Sequence, residues 1–354
     1  MTEPIRDVTI IGGGPAGLYS AFYSGLRGMD VRLIEAREEL GGKICLFREK
    51  VIWDAGGQPP LQGETFRKQL IEQGKTFGPE ILTNTKITSI RKNGLGLFET
   101  EDHLGRVHLS KAIIMANGGG IVTPQKLKLQ GAAVAEMDNL HYTMPSLATF
   151  TGRTVLISGG GDAAVDWADE LSGIAAKVIL VHRRDNFCAH EAQVEKVRRS
   201  GTDILLNVAI HRLFADGAKT RIEMVELKDT ETGALTRVEV DDVVISHGYE
   251  RDATLEFGAG SEPLRKDGHF FEGRADAATS VPGIFAAGDC LSYAGKVNLL
   301  VGAFQDAVNA VNRAKTYVDP EAHDRGMVSS HNERFKERNR SLIRQMADEV
   351  NTVR

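Results

Sequence analysis

Cysteine is scarce. Cys45, Cys188 and Cys290 are the only three in 354 residues, and they stand far apart. No C-x-x-C occurs, so neither a redox dithiol nor a structural zinc site can be read from them. Read singly, each is a small side chain suited to a buried or half-buried place. Long apolar runs are missing too. None approaches the ~20 residues of a membrane span, and the opening residues MTEPIRD are polar, without a secretory h-region. The chain is therefore expected in the cytoplasm and off the membrane. An excess of basic residues is also absent. Lys and Arg number 43 against 48 Asp and Glu, a formal net charge of −5, which argues against a general affinity for nucleic acid or an acidic membrane and leaves only local basic patches open.

What is present is ordinary soluble composition and, within it, punctuation by glycine. A hydrophobic share of 42% with 26% charged residues is that of a globular protein, and the length suits two domains, each with its own core. Val8 to Ala36 reads as strand, tight turn, helix, strand. An apolar run ends in Gly12, Gly13, Gly14, Pro15, Ala16 and Gly17. Gly12 permits the sharp turn, Gly14 lets a pyrophosphate approach the backbone, and Gly17 lets the helix pack closely on the sheet. The helix N-terminus offers free N–H groups and the positive end of its dipole to phosphates. The second strand ends in Glu35, a carboxylate suited to a ribose with a free 2′-hydroxyl, as in FAD or NAD.

Beyond Glu35, Gly41-Gly42-Lys43 marks a loop where backbone can approach a ligand, and Phe47 follows. An aromatic there stacks on a flat cofactor or simply joins the core. Glu64 to Gln73 has helical spacing, Ile81–Ile90 and Leu97–Leu109 alternate as antiparallel strands do, and Lys111–Ala116 is a buried strand. Then the opening pattern returns. Thr154–Ser158 is followed by Gly159, Gly160, Gly161, Asp162, Ala163 and Ala164, a helix to about Leu171, and a strand from Lys177 to Val181. The two fingerprints lie a domain's length apart, which suggests two nucleotide-binding folds. The second strand here ends in His182, Arg183 and Arg184 instead of an acid. Guanidinium forks at that point suit a 2′-phosphate, so this site reads NADP(H) and the first reads FAD. The competing reading of the three residues is a solvated charge cluster. Later, SVPGIFAAGDC is a strand ending in Gly288-Asp289, and Val297–Val318 reads as a long helix. The tail from Met327 carries Ser329, Ser330 and His331, then a basic, helical stretch with Arg334, Lys336, Arg338, Arg340 and Arg344.

Taken together, GGGPAGL, the Glu35 strand end, Gly41-Gly42, GGGDAAVDWA, HRRD and PGIFAAGDC resemble the two-domain flavoprotein reductases of the thioredoxin-reductase type. Without the C-x-x-C of thioredoxin reductases proper, the chain resembles most the thioredoxin-reductase-like ferredoxin–NADP⁺ reductases. The resemblance implies an α/β fold of two Rossmann-like three-layer domains: an FAD domain at 1–120 and 251–354, with an NADP(H) domain inserted at 121–250. It implies FAD contacts from Gly12, Gly14, Pro15, Ala16, Gly17, Glu35, Gly42, Lys43, Gly288, Asp289 and Ser329, with Phe47 stacked on one face of the ring and Asp54 close to it. It implies NADP(H) contacts from Gly159, Gly161, Asp162, Ala163, His182, Arg183 and Arg184. The family usually places an aromatic or histidine before the Ser-Ser pair to cover the other flavin face. Here Val328 precedes the pair and His331 follows it, so either His331 stacks or that face is covered differently.

The implied activity is electron transfer between NADPH and a ferredoxin or flavodoxin, by a homodimer, with no catalytic acid–base pair or metal. The competing readings are an NADPH-dependent flavin reductase acting on a small disulfide, quinone or oxygen, and a non-catalytic redox sensor.

Overall fold

The computed structural model describes residues 3–129, 132–133, 136–252, 254–326 and 328–352; Met327, where the sequence reading starts the tail, lies outside them. The chain forms two compact units, residues 1–121 with 252–354, and residues 122–251. In the first unit, β1 (Arg6–Ile11) runs into α1 (Pro15–Leu26) and returns as β2 (Val31–Ile34). After α2 (Gly63–Gly74) come β3 (Glu80–Leu82), β4 (Ile87–Lys92), β5 (Phe98–Asp102) and β6 (Val107–Met115). The order β3-β2-β1-β6 is parallel throughout, and Ile284–Ala286 adds a further parallel strand beside β6. The first half of β6 pairs antiparallel with β5, and β5 with β4. Val8, Ile10, Leu33, Ile113 and Ile114 are fully buried between the layers.

The alternation read over Ile81–Ile90 is thus two strands of different kind. Asn84 takes a left-handed φ of 50° between them, and its N–H reaches Arg37 O at 2.9 Å. A residue in that conformation cannot continue a strand, so β3 stays in the parallel sheet and β4 turns into the antiparallel one.

The second unit repeats the plan. Its parallel sheet holds β7 (Leu140–His141), β8 (Thr154–Gly159), β9 (Lys177–His182), β10 (Asp203–Leu206) and β14 (Asp242–Ser246), in the order β7-β14-β8-β9-β10. Helices α3 (Asp162–Ser172) and α4 (Glu191–Arg199) follow β8 and β9. An antiparallel sheet of β11 (Val208–Ala215), β12 (Ile222–Asp229) and β13 (Leu235–Glu239) is inserted before β14. The segments that enter and leave this unit, Val122–Pro124 and Tyr249–Arg251, run side by side as an antiparallel pair.

Back in the first unit, α5 (Leu300–Val318) packs on α1, and α6 (Lys336–Thr352) ends the chain. Among the described residues, no helix is long and apolar enough to cross a membrane.

Candidate functional site

In the first unit three glycine turns converge on the N-terminus of α1. The first is the fingerprint itself. Gly12 has φ +111°, and a Cβ there would lie 2.4 Å from Ala116 O; a Cβ on Gly17 would lie 1.8 Å from Gly12 O. Only glycine lets the strand, the turn and the helix close on each other at these distances. The second turn is Gly41-Gly42. Gly41 N donates to Gly13 O at 2.8 Å, and a Cβ on Gly42 would lie 2.8 Å from Gly14 Cα. The third follows Ile284–Ala286, where Gly288 presses on Ala16: a Cβ there would lie 2.9 Å from Ala16 Cβ.

Glu35, 9% exposed, braces this arrangement. Its Oε2 accepts from Gly13 N at 2.7 Å and its Oε1 from Arg37 N at 2.8 Å. A carboxylate accepts about four hydrogen bonds, so capacity remains for ribose hydroxyls. Lys43 and Asp289 join the second and third turns by an ion pair of 2.7 Å. Helix α1 begins with Pro15 after Gly14, and no side chain caps it, so its first-turn N–H groups face outward with the positive dipole end. Nothing approaches a Cβ position on Gly14 more closely than Gly42 Cα at 3.6 Å. Helix α5 likewise starts without a side-chain cap, with Val297, Leu299 and Val301 exposed around its first turn. Outward N–H donors, a spare acceptor and an apolar rim are the groups that a dinucleotide with a flat ring requires.

The other sequence candidates of this unit separate. Phe47 ends the Gly42–Leu46 turn and is 43% exposed, with Lys50 Nζ 5.7 Å from its ring centroid; it is not part of the core. Asp54 is exposed, next to Trp53. Ser329 and His331 are not brought to the fingerprint of their own chain. They form a short turn just before Asn332, whose Nδ2 donates to Leu26 O at 3.3 Å. That is the far end of α1, about 18 Å along the helix from Gly14. Arg334 donates to Gly25 O beside it, and Phe335 packs on Phe77 and Phe22 with centroids 5.3 and 6.4 Å away.

One residue escaped the sequence reading. Asp306, fully buried in α5, accepts from Gly288 N at 3.1 Å and Tyr293 Oη at 2.8 Å and is paired with Lys296. Burial, then the bond to Asp306, pushes the Tyr293 phenol up to about 12. The available signal was position: Asp306 lies on the helix face of Ala303, Ala307 and Ala310, where an acid without a partner is too costly to keep.

The cysteines form no pair. Cys45 Sγ donates to Leu40 O and Cys290 Sγ to Met115 O, while Cys188 is exposed. Burial raises the Cys45 thiol and pushes that of Cys290 up to about 12, so neither is a ready thiolate.

In the second unit Gly159 is packed between Ser246 O and Ala164 Cβ, whereas a Cβ on Gly161 would meet nothing within 4 Å. Gly161 precedes α3, which no side chain caps. Asp162, a candidate ligand from sequence, instead accepts from His190 N at 2.8 Å and ties down the following loop. Ala163 is exposed beside it. Arg183 and Arg184 stand exposed beyond β9, and among the described residues neither guanidinium pairs with a carboxylate. His182 does not stand with them. Its half-buried ring lies against Gly160 and stacks on Phe187, centroids 5.6 Å apart. Across the turn, His247 Nε2 shares a 2.8 Å hydrogen bond with Ser158 Oγ. Burial, then the neighbouring positive charges, lowers both histidines, in His182 against a bond to the Asn186 backbone that acts upward. The donor-rich turn and the two unpaired guanidiniums fit a phosphorylated dinucleotide.

Comparison with known proteins agrees with this construction. Residues 6–314 match the family model described as pyridine nucleotide-disulphide oxidoreductase. A ferredoxin–NADP reductase of Lysinibacillus sphaericus is 54% identical, the match covering 96% of this chain and 97% of the relative. Another, of Exiguobacterium sibiricum, is 53% identical over 98% and 99%. Among solved structures, thioredoxin reductase from Lactococcus lactis superposes with a TM-score of 0.67, covering 88% of this chain and 99% of that one at 24% identity, which speaks for the fold alone. With two fingerprinted α/β units and kinship along nearly its whole length, the chain belongs to the pyridine nucleotide-disulphide oxidoreductase family, in its ferredoxin–NADP reductase branch.

Proposed function

We propose that this oxidoreductase carries electrons between NADPH and a ferredoxin or flavodoxin, with FAD held by the unit of residues 1–121 and 252–354 and NADP(H) by the inserted unit. The carrying observation is that one chain holds two fingerprints of opposite charge, Glu35 beyond one strand and Arg183-Arg184 beyond the other, and no cysteine pair. When bound, the flavin supplies the exchange between a two-electron hydride donor and a one-electron protein carrier.

The chain's own part is binding and alignment. Glu35 accepts ribose hydroxyls while holding Gly13, and the N-terminus of α1 receives the pyrophosphate. Lys43 and Asp289 offer a cation and an acceptor at one place, so the site neutralises phosphate and bonds polyol hydroxyls together. Phe47, exposed on its turn, covers one ring face, with Asp54 on the same stretch. The dipole of α5 favours negative charge arriving at its N-terminus. In the inserted unit, Gly161 and α3 take the pyrophosphate, and Arg183 and Arg184 fork onto the 2′-phosphate. No side chain has to move a proton.

Ser329 and His331 act, in this reading, toward a second copy of the chain, because they lie at the wrong end of their own α1. A homodimer is the state this reading calls for, with Leu342 and Ile343 exposed on α6 available to it. NADPH-driven cytochrome c reduction, with and without added ferredoxin, tests the acceptor. Strong stimulation by ferredoxin is expected; equal rates without it would transfer the reading to a small-molecule acceptor.

A further inference from the structure

We propose that His182 is a positioning residue of the second fingerprint, setting the height of Gly160, and not a ligand of the 2′-phosphate. The proposal rests on the assignment of this turn to NADP(H). His182 is the last residue of β9 and pairs with Leu206 of β10, so its Cα is fixed by the sheet. Its ring fills the space that a side chain on Gly160 would occupy: a Cβ there would lie 2.1 Å from Cε1, 2.2 Å from Nδ1 and 2.5 Å from Nε2. Phe187 stacks on the imidazole with an interplanar angle of 23°. The loop that carries Phe187 is in turn fastened to the fingerprint. Cys188 N donates to Gly160 O at 2.7 Å, and Gly161 and Cys188 form a parallel bridge. Gly160, the imidazole and Phe187 therefore form one packed unit, closed by a backbone hydrogen bond.

A phosphate ligand at this position would present an N–H outward. His182 Nε2 is buried and meets no partner, so the ring presents no donor to a phosphate outside, and burial acts against its positive charge. Arg183 and Arg184, the next two residues, are exposed. The motif divides its work: the histidine holds the turn whose N–H groups meet the pyrophosphate shared by NADP(H) and NAD(H), and the arginines read the 2′-phosphate that only one of them has.

The test measures the dissociation constants of NADP⁺ and NAD⁺ for the flavin-loaded protein by titration calorimetry, with melting curves to verify folding. Arg183→Ala with Arg184→Ala should weaken NADP⁺ by about 10- to 100-fold per arginine and leave NAD⁺ nearly unchanged. His182→Ala should weaken both by about 5- to 10-fold, preserving their ratio. Gly160→Ala should weaken both as well, and adding His182→Ala to it should restore part of the loss, since the methyl enters the space the ring vacates. If His182→Ala lost NADP⁺ selectively, as the arginine variant does, the histidine would be a phosphate ligand and the proposal would fail. Simply additive losses in the Gly160/His182 pair would overturn it too. Should His182→Ala not fold, Gly160→Ala alone decides, because unchanged affinities there would contradict the packing argument. NADP⁺ affinity untouched by the arginine variant would overturn the assignment of the site itself, separately from the role of His182.

Discussion

Asp306→Ala removes the one acceptor on which the Gly288 N–H, the Tyr293 hydroxyl and the Lys296 ammonium converge. Lys296 is 8% exposed and Asp306 fully buried, so the change strands a cation away from water. Breaking a buried pair on one side costs about 3–5 kcal/mol. The Gly288 N–H and the Tyr293 hydroxyl lose their acceptor at the same time, each a penalty of about 1–3 kcal/mol when fully unsatisfied. Losses inside one network do not add, and the lysine can shed its proton, so the expected total stays at about 3–5 kcal/mol. Against a usual stability of about 5–15 kcal/mol, that is a large fraction. Urea unfolding of the flavin-loaded protein, followed both by circular dichroism and by flavin release, measures it. Flavin release should shift first, because Gly288 is freed at the mouth of the site. Pairing Asp306→Leu with Lys296→Met should recover much of the loss, since apolar groups fill the space without a buried charge. A cost below about 1 kcal/mol for the single change, or a double variant as unstable as the single one, would refute the reasoning.

Other outcomes follow from the same structure. Burial acts to raise the Asp102 carboxyl, but donors from His108, Arg106 and Leu104 outweigh it and hold it at about 2, below the ordinary 3.8. A depressed carboxylate adds stability above its unfolded value and loses it on acidification. The melting temperature should therefore fall more steeply in the wild type than in Asp102→Asn as pH drops from 3.8 through about 2; parallel curves would contradict this. Changing Cys45, Cys188 and Cys290 together to Ser should leave the NADPH-to-ferredoxin rate intact, and a lost rate with flavin still bound would put a thiol in the electron path. Arg334→Ala gives up a carbonyl contact at the end of α1 and a cation 5.3 Å from the Phe77 ring. The tail should open about 5- to 10-fold more often and be clipped faster by a protease, with flavin reduction by NADPH unchanged. Unaltered cleavage would show that Asn332 and Phe335 secure it without Arg334.

The β1-α1-β2 unit and its repeat were legible because glycines mark where backbone must approach backbone, and such contacts leave a signature at fixed spacing. The change from Glu35 to Arg183-Arg184 was equally plain, being a change of charge at a strand end. Less legible was any feature that depends on what a side chain meets. His182 stands in sequence with two arginines, yet the twist of the strand end turns it under Gly160 while they face water. Arg334 belongs to a basic run, but part of its work is structural, on the carbonyl of Gly25. Long-range partners account for Asp306, whose donors lie 10 to 18 residues away. Strand limits blurred where one alternating run, Ile81–Ile90, served two sheets, broken by Asn84 with its φ of 50°.

Anaerobic stopped-flow on the purified, yellow protein tests the central claim most directly. The visible flavin band should bleach rapidly with NADPH and far more slowly with NADH at equal concentration, and oxidised ferredoxin added next should restore it. A preparation that binds no FAD, that reacts alike with both nucleotides, or whose reduced flavin ignores ferredoxin would contradict the account.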